Sequence, residues 1–198
     1  MRSILIKKKD TVSPDVFYKV LHTTPVILAV KSMEGLEKSL PASGGIVFVL
    51  FGDILSIPGI VAKIKDAGKI ALVHIDLIDG LTSRDVAVDF IAETTRADGI
   101  LSTKANLVKH AKTRGLLAVQ RFFVLDSMAL LNIEKQFPLD YADAVEILPG
   151  VMPKVISGIV TMINKPVIAG GLVSDQEDVR HALEAGAVSV SSSNTALI

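Results

Sequence analysis

The chain has 198 residues, 49% of them apolar, and its 21 basic residues are balanced by 21 acidic ones. That is enough apolar material for one packed domain, expected to span residues 1–198, and too little length for two large ones. With no cysteine, disulfide frameworks and thiolate metal sites are excluded.

Charge and hydropathy narrow the partners. Nucleic-acid binders usually show a basic excess, and a zero net charge gives that class no support. The basic clusters are small: Lys7-Lys8-Lys9, and Lys104, Lys109, Lys112 and Arg114, the latter reading as the solvated face of a helix. No apolar run approaches the ~20 residues that cross a bilayer, and residues 1–10 hold lysines without an apolar signal core. A cytoplasmic protein without membrane contact is expected.

In chain order, residues 15–22 have helical spacing and are predicted to form a helix that plugs the floor of a barrel. The first strand is predicted at residues 26–30. The turn after it, Lys31-Ser32-Met33-Glu34-Gly35, lacks the glycine fingerprint of a dinucleotide-binding sheet. Strands are predicted at 46–51 and 70–75, with Gly68 as the left-handed residue ending the helix between them. Ser83 is expected to cap a helix over 84–95. Strands at 99–101 and 116–122 flank a helix closed by Gly115. A strand at 144–148 leads into a helix over 154–163, opened by Pro153, whose missing N–H costs nothing in the first turn. The strand at 167–169 is followed by a capping box, Ser174-Asp175-Gln176-Glu177, and a helix stopped by Gly186. The last strand is predicted at 188–191.

These eight runs are continuously apolar, as parallel strands buried on both faces require. They recur every 20 to 25 residues or so, one βα unit each. The distinctive glycine and serine strings come after strands seven and eight, where β/α barrels build phosphate sites. The fold class is therefore α/β, a (β/α)8 TIM barrel with an N-terminal helix and a truncated eighth helix, since residues 194–198 are too few for a full one. The flank left open suggests a homodimer.

Side chains at the C-terminal ends of barrel strands converge on one mouth. Gly170 and Gly171 let backbone N–H groups approach an anion; Ser191, Ser192 and Asn194 offer hydroxyls and N–H groups at the start of a short helix. Arg121 ends strand five and can hold phosphate with two parallel bonds, or pair with Glu146 on strand six. His74 and Asp76, two apart on a strand, point the same way and could bind hydroxyls, move protons, ligate a metal or satisfy each other. Lys31, Asp53 and Lys104 are further charged candidates at the mouth, Asp53 also as a helix cap. No catalytic triad, zinc helix or P-loop is present; no catalytic residue, metal or cofactor is implied.

The strings VHIDLIDG, ILSTK, AVQRFFVLDS, VEILPGVMPK, VIAGGLVSD and VSVSSSNTALI, in this order, resemble the glycerol-3-phosphate-responsive antiterminator family over residues 25–197. The strand-five string with VEILPGVMP is specific; the GG and SSSN pieces occur in many phosphate-binding barrels. The resemblance implies a regulator that senses glycerol 3-phosphate and acts on leader mRNA so that transcription passes a terminator. Gly170, Gly171, Ser192 and Asn194 would hold the phosphate, with Arg121 adding charge. His74, Asp76 and Glu146 would face the glycerol hydroxyls. Members of that family often carry arginine where this chain has Lys31 and Lys104. Two other readings stand beside it: a barrel isomerase, epimerase, aldolase or prenyltransferase acting on a phosphorylated substrate, and a degenerate barrel kept for protein contact.

Overall fold

The computed structural model describes residues 11–136 and 140–197. The Lys7–Lys9 cluster lies outside these residues. Eight strands form a closed parallel barrel in chain order: β1 (Val26–Val30), β2 (Ile46–Val49), β3 (Ile70–His74), β4 (Gly99–Ser102), β5 (Leu117–Phe123), β6 (Ala144–Leu148), β7 (Val167–Gly170) and β8 (Ser189–Ser192). β8 closes the ring by pairing with β1, Ile27 opposite Ser191. Helix α1 (Pro14–Thr23) precedes the barrel. Helices α2 (Met33–Ser39), α3 (Ile57–Asp66), α4 (Asp85–Thr94), α5 (Ala105–Thr113), α6 (Ser127–Lys135), α7 (Pro153–Met162) and α8 (Gln176–Glu184) come after β1 to β7 in turn. After β8 comes only a three-residue 3-10 turn, Thr195–Leu197, as the short remaining sequence predicts.

Residue parity divides the apolar side chains between two cores. Ile27, Phe48, Leu72, Leu101, Val119, Ala144 and Ile168 fill the lumen. Their neighbours Leu28, Val47, Val73, Ile100 and Ala118 point outward and pack beneath the helices on one side. Val145, Ile147, Val167 and Val190 do the same on the other. A strand buried on both faces needs both parities apolar, which is why the runs are continuous.

The floor is closed by α1, whose fully buried Phe17 and Leu21 belong to the lumen core with Ile46 and Ile70 at the strand starts. Around the same end one device occurs twice. Asp98, just before β4, accepts from the Ala71 N–H and pairs with Lys65 of α3 at 2.7 Å. Asp143, just before β6, accepts from the Ala118 N–H and pairs with Lys112 of α5 at 2.7 Å.

Three local expectations shift. Strand three stops at His74, because Ile75–Leu77 winds into a 3-10 turn. Ser83 does not cap α4; Arg84 holds that position without a side-chain bond, and Ser83 Oγ instead accepts from Lys104 Nζ. The box opening α8 lies one residue later than predicted. Asp175 accepts from the Asp178 N–H at 2.9 Å, and Asp178 reaches back to the Ser174 N–H and hydroxyl. These contacts hold the Asp178 carboxyl below the usual carboxylate range, the Ser174 N–H and hydroxyl contributing most.

Candidate functional site

The lumen parity that is apolar through most of the barrel turns polar in its last layer. Two residues above Leu72, Val119, Ala144 and Ser189 stand His74, Arg121, Glu146 and Ser191, all inward and all buried. Glu146, fully buried, is held from two sides: Arg121 Nε donates to its Oε2 and the Ser191 hydroxyl to its Oε1, both at 2.5 Å. A buried carboxyl group with neither partner would cost several kcal/mol, and the two bonds together fix its rotamer. Gly170 completes the arrangement. A Cβ there would lie 2.5 Å from Ser191 Oγ and 2.6 Å from Glu146 Oε1, so only glycine admits the pair.

Above this layer opens a cavity of about 400 Å3. Arg121, Glu146 and Ser191 reach it from below, and Lys31 at the end of β1 reaches it from the side. Nε is the only Arg121 nitrogen with a bond to protein among the described residues, so half of its planar fork is still available. Lys31 makes no ion pair among the described residues. The rim after β7 is the turn Gly171-Leu172-Val173, and the rim after β8 is Ser192-Ser193. Gly171 (φ 74°) and Leu172 (φ 62°) are both left-handed. No protein acceptor takes the N–H of Leu172, Val173 or Ser193 among the described residues. Arg121 from β5, Lys31 after β1 and the free N–H groups of the β7 and β8 rims give this cavity a set of donors of the kind that suits an anion.

The remaining sequence candidates are placed elsewhere. Asp76 leaves the strand with the 3-10 turn and faces the end of β4. It accepts from Ser102 Oγ (2.9 Å), Thr103 N–H (2.8 Å) and Thr103 Oγ (3.1 Å), and does not line the cavity. Its oxygen stands 3.8 Å from His74 Nδ1, too far for a hydrogen bond. His74 Nδ1 is buried with no partner. Burial first, and the Arg121 charge second, push the imidazole down to about 4, against the opposing pull of Asp76; it is neutral at physiological pH.

Asp53 caps its own turn, accepting from the Leu55 and Ser56 N–H groups at 2.8 Å each, which lowers its carboxyl below the usual range. Lys104 Nζ donates to Ser83 Oγ, stands 3.8 Å from Asp76 Oδ1 and does not line the cavity. The Asn194 side chain is occupied at both ends, donating to Ser174 O at 2.9 Å and accepting from the Ala196 N–H at 3.0 Å. It ties the two rim loops together and stays off the cavity wall. Ser192 Oγ donates to Val173 O and accepts from the Asn194 N–H. The anticipated helix dipole after β8 is a single 3-10 turn and adds little.

Sequence reasoning overlooked the apolar lining, namely Leu50, Leu77, Leu148, Leu172 and Val173, whereas Ser193 lies in the Ser191–Asn194 string that it placed at the mouth. The signal was present for Leu50 and Leu148, which continue the inward parity of β2 and β6. It was absent for Leu77 and Leu172, which sit in turns without a period.

Comparison with known proteins places the chain in a family. The model of the family described as glycerol-3-phosphate responsive antiterminator matches residues 26–198. A curated relative, "Uncharacterized protein YgcP" of Escherichia coli (strain K12), is 44% identical over 176 residues, covering 89% of this chain and 92% of that protein. The crystal structure of a glycerol uptake operon antiterminator regulatory protein from Listeria monocytogenes superposes with a TM-score of 0.83 at 32% identity, over 87% of this chain and 93% of the other. That of a glycerol uptake operon antiterminator-related protein from Thermotoga maritima gives 0.77 at 35%, over 88% and 97%. This chain belongs to the glycerol-3-phosphate-responsive antiterminator family.

Proposed function

We propose that the protein is a non-enzymatic sensor, which binds glycerol 3-phosphate in the cavity at the barrel mouth and, when loaded, acts on leader mRNA in the cytoplasm to let transcription pass a terminator. Family membership supports the regulatory half of this reading. The observation that carries the ligand half is the Arg121 guanidinium, pinned by Glu146 through Nε and directing its remaining donors at a cavity beside the unpaired Lys31. In the proposed complex the phosphate lies against the N–H groups of residues 171–173 and 193, between those two cations. Glu146, held in place by its bond from Arg121, accepts from a glycerol hydroxyl.

The test is thermal melting with glycerol 3-phosphate, glycerol and inorganic phosphate added separately. A ligand at ~100 times its Kd adds ~2.7 kcal/mol, or roughly 5–10 °C for a domain of this size. A shift confined to glycerol 3-phosphate is expected, and none with it overturns the assignment. Arg121→Lys keeps the charge that compensates Glu146 but loses the fork, so Kd should rise about tenfold or more. An unchanged Kd removes Arg121 from the phosphate site. Binding to leader RNA should weaken steeply between roughly 50 and 200 mM salt, on the order expected for phosphate contacts.

A further inference from the structure

The cavity has two unlike sides. Its β7, β8 and β1 side carries the free N–H groups, Lys31 and the serines; across the mouth, β2 and β3 contribute Leu50 and Leu77. Among the described residues, that second side contributes no polar side chain to the lining. The charged residues that the sequence brings to it are all committed elsewhere: Asp53 to its own turn, Asp76 to Ser102 and Thr103, Lys104 to Ser83. His74 is buried off the cavity wall. Leu148 and Leu172 continue the apolar lining above Glu146 and the phosphate loops.

Size points the same way. At about 400 Å3 the cavity lies in the range of sites that enclose drug-sized ligands, roughly 300–1,000 Å3, well beyond a three-carbon phosphate. A bare glycerol phosphate seated on the anion receptor would leave Leu50 and Leu77 facing water across unfilled space. Leu172 adds an independent sign. It is a non-glycine residue in the left-handed region, at φ 62°, yet 75% of it is exposed, so burial in the core does not account for a branched apolar side chain there. Backbone strain of that kind persists where a function needs the side chain in place.

We infer that the site takes a polyol phosphate carrying a short apolar substituent, an O-acyl or O-alkyl group, with the phosphate on the β7–β8 loops and the substituent against Leu50 and Leu77. The inference rests on the proposed phosphate site and extends it from glycerol 3-phosphate to its acylated or alkylated relatives.

Calorimetric titration of the wild-type protein with glycerol 3-phosphate, its 1-butyryl ester and its 1-hexanoyl ester tests it. Each buried methylene is worth about fourfold in affinity, so the butyryl ester should bind at least about tenfold tighter than glycerol 3-phosphate and the hexanoyl ester tighter still. Leu77→Asn, at a half-exposed turn position, should erase most of that gain while leaving the glycerol 3-phosphate Kd within about twofold. If glycerol 3-phosphate binds and the esters bind no better, the inference fails and the sensor reading stands. A gain that Leu77→Asn leaves intact also overturns it, because the substituent then lies elsewhere. If none of the three binds, the phosphate site itself is wrong.

Discussion

His74 shows how one buried side chain links the site to stability. Its imidazole is held neutral by burial and by the Arg121 charge, down to about 4 from a usual 6.5. Because the folded value lies below the unfolded one, the unfolded chain binds the extra proton first as pH falls. The associated stability is intact above pH 6.5 and is lost as pH drops toward 4, by about 3 kcal/mol in all. Urea midpoints of the wild type and His74→Gln, compared from about pH 7.5 to 4.5, should converge as the pH falls. Parallel curves would show that the imidazole is protonated equally in both states. At this scale the inward set of His74, Arg121, Glu146 and Ser191 was legible, because strand parity alone decides it. Asp76 was not: the same parity was carried one turn too far, past the point where residues 75–77 leave the strand.

Among the elements, the turn after β7 sets the limit of what a sequence reveals. Gly171 announces a left-handed position, and glycine is the residue that takes it freely. Nothing in the string Gly-Leu-Val announces that Leu172 joins it there. Leu172→Gly should relieve about 1 kcal/mol of backbone strain and raise Tm by roughly 2–4 °C. A fall in Tm would mean that the leucine is held by contacts that outweigh its strain. Helix ends divide the same way. Gly68 and Gly115, both left-handed in the structure, were readable as stops. The α8 cap was misplaced by a residue because Ser174 and Asp175 satisfy the same pattern in adjacent frames. Only the geometry shows which one accepts from the helix.

For the whole molecule, the fold was legible nearly in full. Eight apolar runs at one spacing leave few arrangements, and the phosphate-type strings after the last two favoured the closed one. The division of labour between the two ends is a result of it. The floor is closed by α1, Lys65–Asp98 and Lys112–Asp143, and the proposed recognition site lies at the mouth. Phe17→Ala should therefore cost about 3–5 kcal/mol and lower Tm by around 10 °C, with the ligand Kd unchanged in the protein that remains folded. A parallel loss of affinity would show that the floor and the mouth are coupled through the lumen. What the sequence did not show was the cavity's apolar half, since it depends on which charged residues turn away from the mouth, and that is decided by turn geometry.

Gly170, Glu146 and Ser191 carry a further consequence, for descent. Any side chain at 170 would strike the serine hydroxyl and the glutamate oxygen at once, and loss of either partner strips a bond from a carboxylate that is fully buried. A larger residue at 170 crowds both neighbours, and loss of the Ser191 hydroxyl leaves the buried Glu146 one bond short. Lineages should therefore keep the trio whole or exchange it as a block, and under the proposed function its presence marks, in a relative, a mouth that reads the same kind of molecule.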